Sequence, residues 1–423
     1  MPTLAFRPIN LGRWLTWSLT ALGLALLPLA FPESAALTLM SQMCTFVIFA
    51  LSYNMLLGQG GMLSFGHAVY SGLGAYFAVH ALNLIGKGTL PLPVSLLPLV
   101  GGLAGLGFGL LFGYVTTRRA GTTFSMISLG IGEMVFACSL MFPGFFGGEG
   151  GVTTNRVAGP PFLGISFGPG IQVYYLIAAW MLVCMAAMFA WTQTPLGRMA
   201  NAVRDNPERA QFIGYDPQMV RFLTLALSSF FAGVSGGLAT INFELVTAEN
   251  VSAMRSGGVL LATFIGGIGV FFGPIIGAVI FIYFVVSVSL YTKAWLLYLG
   301  LFFVVMVLFA PGGIASLIAM HLPVLKARLA GRLCKPYAAA AAAGAVLLVG
   351  VVTVVEMTYH WSMERRLKPT LSLAGIELDV TSAAAWACAL GLLAAGGGLF
   401  ALAWGSVRRA WHAIGTRLAE AAR

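Results

Sequence analysis

Residues 195–221 read Pro-Leu-Gly-Arg-Met-Ala-Asn-Ala-Val-Arg-Asp-Asn-Pro-Glu-Arg-Ala-Gln-Phe-Ile-Gly-Tyr-Asp-Pro-Gln-Met-Val-Arg. This polar, arginine-bearing island interrupts a chain of 423 residues that is 59% hydrophobic and only 9% charged. Apolar runs near 171–191 and 222–243 flank it, and each is long enough to cross a bilayer. The island is therefore a loop between two spans, and its punctuation says that it folds. Asn206 before Pro207 is a helix N-cap followed by proline at the first helical position, where the missing N–H costs nothing. Gly214 stops that helix in the left-handed conformation, and Asp216-Pro217 repeats the start signal. A helix of about seven residues, roughly 10 Å long, has the size of a docking element. Ala210, Phe212 and Ile213 are its expected outward apolar side chains. A solvated, positively charged connecting loop is the other reading of the same residues.

The mean hydropathy of +0.91 places the whole chain in the membrane class. Candidate spans lie near 15–31, 35–57, 68–86, 93–116, 121–142, 171–191, 222–243, 257–272, 274–291, 294–310, 336–356 and 383–405. The first also has the look of a secretory signal, since Arg7 and Arg13 precede its apolar core; an uncleaved span is the expectation. The segments 257–272 and 274–291 are short and glycine-broken, which makes one of them a candidate re-entrant segment. The reading is an all-α polytopic membrane protein of about ten core transmembrane helices, with an inverted repeat expected, plus two extra C-terminal spans.

Charge sets the expected orientation. With both termini in the cytoplasm, sixteen of the 23 Lys and Arg fall inside and seven outside: Lys87, Arg156, Arg255, Lys293, Arg365, Arg366 and Lys368. That bias follows the positive-inside rule. The net charge of +10 is then an orientation signal and a lipid-headgroup contact, with no call for nucleic acid as a partner. Four of the five cysteines sit in expected spans and Cys334 in an inner loop, so no structural disulfide is expected. No spacing suggests a metal site.

Glycine, 53 residues in all, organises the spans. Gly101, Gly105, Gly109 and Gly113 form an i, i+4 ladder, and Gly269, Gly273 and Gly277 repeat the spacing; such stripes let helix backbones approach closely. Two other clusters break the chain. Gly58-Gln59-Gly60-Gly61-Met62-Leu63-Ser64-Phe65-Gly66-His67 precedes the third span, and Ser256-Gly257-Gly258 with Gly266-Gly267-Ile268-Gly269 lies in the later half. Glycine-interrupted segments in two halves of a membrane protein point to a translocation pathway. Gly60, Gly61, Ser64, Gly66, His67, Gly257, Gly266 and Gly267 are the candidates to line it, joined by Glu133, the clearest ionisable residue within a span. A structural role, bonded to a neighbouring helix, is the favoured reading of Glu133. The outer loop 143–170, rich in glycine and proline, is expected to be a surface loop of short turns without a core.

Catalytic signatures fail on context. Gly233-Val234-Ser235-Gly236-Gly237 matches G-x-S-x-G, but it lies mid-span rather than at a strand–turn–helix elbow. Gly267-x-Gly269 follows no strand, and Gly86-Lys87 lacks the upstream glycine of a phosphate loop. With almost no charge within the spans, coupling to protons or sodium by an ion-driven secondary transporter is the weaker alternative, and energy is expected from outside the chain.

Six segments in order resemble the membrane subunit of high-affinity branched-chain amino-acid ABC importers, over about residues 35–320. They are Ala50–Gly58 with Gly61–Ala68; Ile127–Glu133; Pro195–Arg198 through Gly214; Phe231–Gly237; Gly266–Gly269 with Phe272-Gly273-Pro274; and Ala310–Ile314. The resemblance implies a permease domain over 1–320 in a bacterial inner membrane, without a catalytic site or cofactor of its own. Its implied partners are a second related permease subunit, two cytoplasmic ATPases that hold ATP-Mg, and a periplasmic solute-binding protein. It also implies that the loop 195–214 carries the coupling helix, with Pro207, Ala210, Phe212, Ile213 and Gly214 at the ATPase and Arg204 and Arg209 at the polar rim. Relatives carry branched-chain amino acids, urea, short amides or aromatic acids. Residues 336–423, beyond the resemblance, are expected to be peripheral.

Overall fold

The computed structural model describes residues 11–157, 166–327, 329, 331–363, 370–373 and 376–421. Arg7, Arg328, Arg365, Arg366, Lys368 and Arg423 from the charge reading, and residues 158–165 of the outer loop, lie outside them. Two compact units divide the chain, residues 1–287 with 302–316 and residues 288–301 with 317–423.

In the first unit the order is α1 (Leu11–Ala30), α2 (Ser34–Asn54, extended by a π-helical turn Met55–Gln59), α3 (Ala68–Gly86), α4 (Leu97–Thr116), α5 (Thr122–Met141) and the single turn α6 (Pro143–Phe146). After β1 (Val152–Thr153) come α7 (Gly170–Gln193), α8 (Pro195–Asp205), α9 (Pro207–Phe212) and α10 (Pro217–Phe243). Then follow β2 (Leu245–Val246), α11 (Ala253–Gly266) and α12 (Gly273–Ile282). The α12 helix runs through a second π-helical stretch to α13 (Ser289–Tyr291) of the second unit, and α14 (Trp295–Phe309) and α15 (Gly313–Lys326), each divided between the two units, come next. The second unit ends with α16 (Gly331–Met363), a hairpin of β3 (Thr370–Leu373) and β4 (Ile376–Asp379), and α17 (Ala383–Ala421).

Among the described residues nine helices are long and apolar enough to cross a membrane, and α14 with α15, bent by 44°, makes a tenth. The protein is thus an all-α multi-pass membrane protein. Two expected spans are shorter: the apolar part of α1 covers Leu15–Ala30, and α11 has 14 residues. At 1.5 Å per residue α11 is about 21 Å long, too short to cross alone.

The core of the first unit is α10, wrapped by α4, α3 and α2. Glycine explains why. A Cβ on Gly105 would lie 2.3 Å from the Ser229 carbonyl oxygen, one on Gly233 2.2 Å from that of Gly101, and one on Gly236 1.9 Å from that of Ser71. Lipid supplies no hydrophobic drive between helices, so close backbone approach takes its place. The ladder 101–113 is therefore the α4–α10 seam, and the G-x-S-x-G stretch is its counterpart. Ser235 is buried and donates to the Thr45 carbonyl, as a packing hydroxyl rather than a nucleophile.

The outer loop differs from its expectation of a coreless surface segment. Phe145 and Phe146 pack on Tyr76, and Nε2 of His80 meets the Phe145 carbonyl at 2.7 Å. The guanidinium of Arg156 donates to the carbonyls of Phe167, Gly168, Ile241 and Asn242 and pairs with Glu244. Aromatic anchors and a multiply bonded arginine do here what an apolar core does elsewhere.

Candidate functional site

The polar loop folds as its caps dictate. Asn206 Oδ1 accepts from the backbone N–H of Arg209 at 2.9 Å, and Asp216 Oδ1 accepts from that of Gln218 at 2.9 Å. Gly214 takes φ +87°, and Tyr215 N–H returns to the Ala210 carbonyl, closing α9. The helix spans six residues with Ile213 as its C-cap. Phe212 is 89% exposed and Ile213 61% exposed. Ala210 is 1% exposed, which corrects its outward placement: α9 packs that face back on α8 and α10. Arg209 is exposed, whereas Arg204 does not stand free at a rim. Its guanidinium donates to the Gly58 carbonyl and pairs with Asp205 at 2.9 Å. Beside it, Asn201 Nδ2 donates to Gln59 Oε1 at 2.7 Å. Gly61, at φ +64°, lies against the Arg204 side chain, where a Cβ would come within 2.5 Å of Cγ. The docking loop and the first glycine break are thus one linked structure.

The break itself, residues 60–67, is irregular chain stitched to α5. Ser125 Oγ donates to the Leu63 carbonyl at 2.7 Å, and Phe65 N–H donates to Ser128 Oγ at 3.1 Å. Tyr53 OH donates to the Ser64 carbonyl at 3.0 Å. A Cβ on Gly66 would sit 2.1 Å from the Ser128 carbonyl oxygen and 3.5 Å from Gly132 N. Gly132 is near the middle of the 20 residues of α5, about 15 Å from either end by helix rise. The chain therefore re-enters to mid-depth before α3 begins.

There it meets the second break. Ala68 N–H, at the start of α3, donates to Ser256 Oγ in the first turn of α11 at 3.0 Å. A Cβ on Gly72 would lie 2.6 Å from the Asn250 carbonyl oxygen. His67 is fully buried, stacked on Phe49 at 5.5 Å. Its Nε2 bonds Ser52 at 3.0 Å; since Ser52 donates to the Phe49 carbonyl, Nε2 carries the proton. Its Nδ1 is a buried acceptor without a partner.

The candidate pathway residues separate. Gly61 is exposed yet pressed against Arg204, Gly257 has open space at its Cβ position, and Ser64, Gly66 and His67 are buried at the junction of the breaks. Gly60 is buried too, and Gly266 and Gly267 belong to a tight turn, where Cβ atoms would meet the carbonyls of Gly273 and Gly312 at 2.1 and 2.4 Å. Glu133 carries an exposed side chain with no hydrogen bond or ion pair to any described residue. This corrects its reading as an acceptor bonded to a neighbouring helix of this chain, because α5 turns Gly132 inward and leaves Glu133 outside.

Sequence reasoning missed Arg255, counted among the outer cations. The fold carries it inward on the first turn of α11, with its guanidinium over the Phe49 ring at 5.9 Å. The signal was present in Ser252, three residues earlier, whose Oγ caps α11 by accepting from Arg255 N–H.

Re-entrant breaks within a bundle of spans, tied to a folded polar loop, define a membrane transport protein of the permease class. Residues 35–311 match the family described as branched-chain amino acid transport system / permease component, and the chain belongs to it. It is 26% identical to the high-affinity branched-chain amino acid transport system permease protein LivM of Escherichia coli over 66% of this chain and 69% of that one. It is 23% identical to the corresponding permease protein BraD of Pseudomonas aeruginosa, over 56% of this chain and 79% of that one. It is also 28% identical to the galactose/methyl galactoside import permease protein MglC of Salmonella typhimurium, over 57% and 75% of the two chains. No solved structure matches it.

Proposed function

We propose that this chain is the permease subunit of an ATP-driven importer in a bacterial inner membrane, with both termini in the cytoplasm. It moves branched-chain amino acids or a related small solute. Its partners are a second related permease subunit, two cytoplasmic ATPases that bind ATP-Mg, and a periplasmic solute-binding protein. The observation that carries this reading is the loop of α8 and α9. It presents two bare apolar side chains, Phe212 and Ile213, and is fastened by Arg204 and Asn201 to Gly58 and Gln59. A partner that pushes on α9 thereby pulls on the start of the re-entrant segment 60–67.

The names of LivM and BraD support the solute class, and that of MglC marks sugar import as a neighbouring specificity. Reconstitution with the partner subunits tests the proposal. Leucine uptake should require ATP and survive ionophores that collapse proton and sodium gradients. Uptake that needs no ATPase and disappears with the ionophores would establish an ion-coupled transporter instead.

A further inference from the structure

We propose that Arg255 is the residue that recognises a carboxylate on the transported solute as it passes mid-depth; this rests on the permease reading above. The guanidinium sits inside the helical body, half-buried over Phe49. Among the described residues its one side-chain hydrogen bond is from Nη1 to the neutral Asn250 Oδ1 at 3.2 Å, its Nε is buried without a partner, and no carboxylate lies within ion-pair distance of it. A partly buried cation without a counter-ion, its Nε fully buried and unpartnered, is costly, and the cost is relieved by an anion that enters and leaves.

The surroundings fit that anion. The first turns of α3 and α11 meet beside Arg255 through the Ala68–Ser256 hydrogen bond, so two helix N-termini add partial positive charge at the same place. An α-amino acid carries a carboxylate for that guanidinium, whereas a neutral sugar has no group that needs its charge.

The test uses the complete complex in proteoliposomes, with labelled L-leucine as probe and the variants R255Q and R255K. R255Q should insert and assemble with the second permease subunit, while leucine uptake falls at least about tenfold, the usual scale for losing one partner of a buried charge pair. R255K should transport better than R255Q, because it keeps the charge. Uptake by R255Q within about threefold of wild type overturns the assignment, as does an equal loss in R255K. Failure of R255Q to assemble also overturns it, since the missing carboxylate would then belong to a partner subunit. Should R255Q not accumulate, the wild-type complex of permease and ATPase subunits without the solute-binding protein decides: L-leucine should raise its melting temperature and leucinol, which lacks the carboxylate, should not. Equal effects refute the proposal. A wild-type complex with no ATP-dependent leucine uptake would instead refute the function proposed above.

Discussion

Replacing both Phe212 and Ile213 with alanine should weaken the association of the permease with its ATPase by roughly a hundredfold. Full burial of such a side chain is worth about 1.5–3 kcal/mol. Phe212 exposes 89% of its surface and Ile213 61%, so nearly all of the first and over half of the second remain for a partner to cover. Together they supply about 3 kcal/mol, and each 1.4 kcal/mol is close to a factor of ten in Kd. The fold should not notice, because exposed substitutions usually change stability by less than about 0.5 kcal/mol. The assay is a titration of labelled ATPase onto permease in nanodiscs, with thermal unfolding of the permease as control. A Kd within about threefold of wild type, at unchanged stability, would show that these side chains meet no partner and that the loop is a solvated connector.

Further outcomes follow from the same geometry. Arg204→Ala should leave ATPase affinity close to wild type but lower the leucine imported per ATP hydrolysed, because it cuts the tie to the Gly58 carbonyl; an unchanged ratio would remove the tie from the mechanism. Gly214→Ala meets no atom within 4 Å, so its cost is conformational alone, about 1–2 kcal/mol for a residue at φ +87°, read as weaker protection of α9 in hydrogen exchange. On α4, Gly105→Ala should destabilise the protein by about 1–3 kcal/mol, since its Cβ meets the Ser229 carbonyl, while Gly107→Ala, with open space, should not; detergent melting curves compare them. A chain ending after Lys335 should still insert and import. It loses Tyr337, which bonds His321, and Glu356, which accepts from Thr292 and Tyr298, so a lower melting temperature is the expected effect; abolished uptake at normal abundance would place 336–423 in the working core.

Local signals were legible wherever the physics is local. Asn206, Asp216 and Gly214 act through their own backbone neighbours, and each takes the role that the sequence predicts. The glycine ladder of α4 was legible because its spacing is that of a helix face. Ala210 was not, since a helix of six residues has too little periodicity to say which side rests on α8 and α10. Arg255 escaped for a related reason. A positive charge between two apolar runs reads as outer loop, and only the inward course of 244–252, fixed by packing on α3, carries it to Phe49. Glu133 shows the converse: its type and place in a span were plain, but a single sequence does not say that its neighbour Gly132 takes the inward position.

The α4–α10 seam has a consequence for movement. Where backbone rests on backbone, with carbonyl oxygens filling the space of absent side chains, there are no rotamers to rearrange and no cushion to compress. Rotating α4 by a fraction of a turn would drive Phe108, three residues on from Gly105, toward the partner backbone. These two helices must therefore travel as one beam. Any opening of a passage through the protein has to be hinged elsewhere, and the irregular segment 60–67, tied to α2 and α5 by three hydroxyl hydrogen bonds, is the member against which that beam can swing.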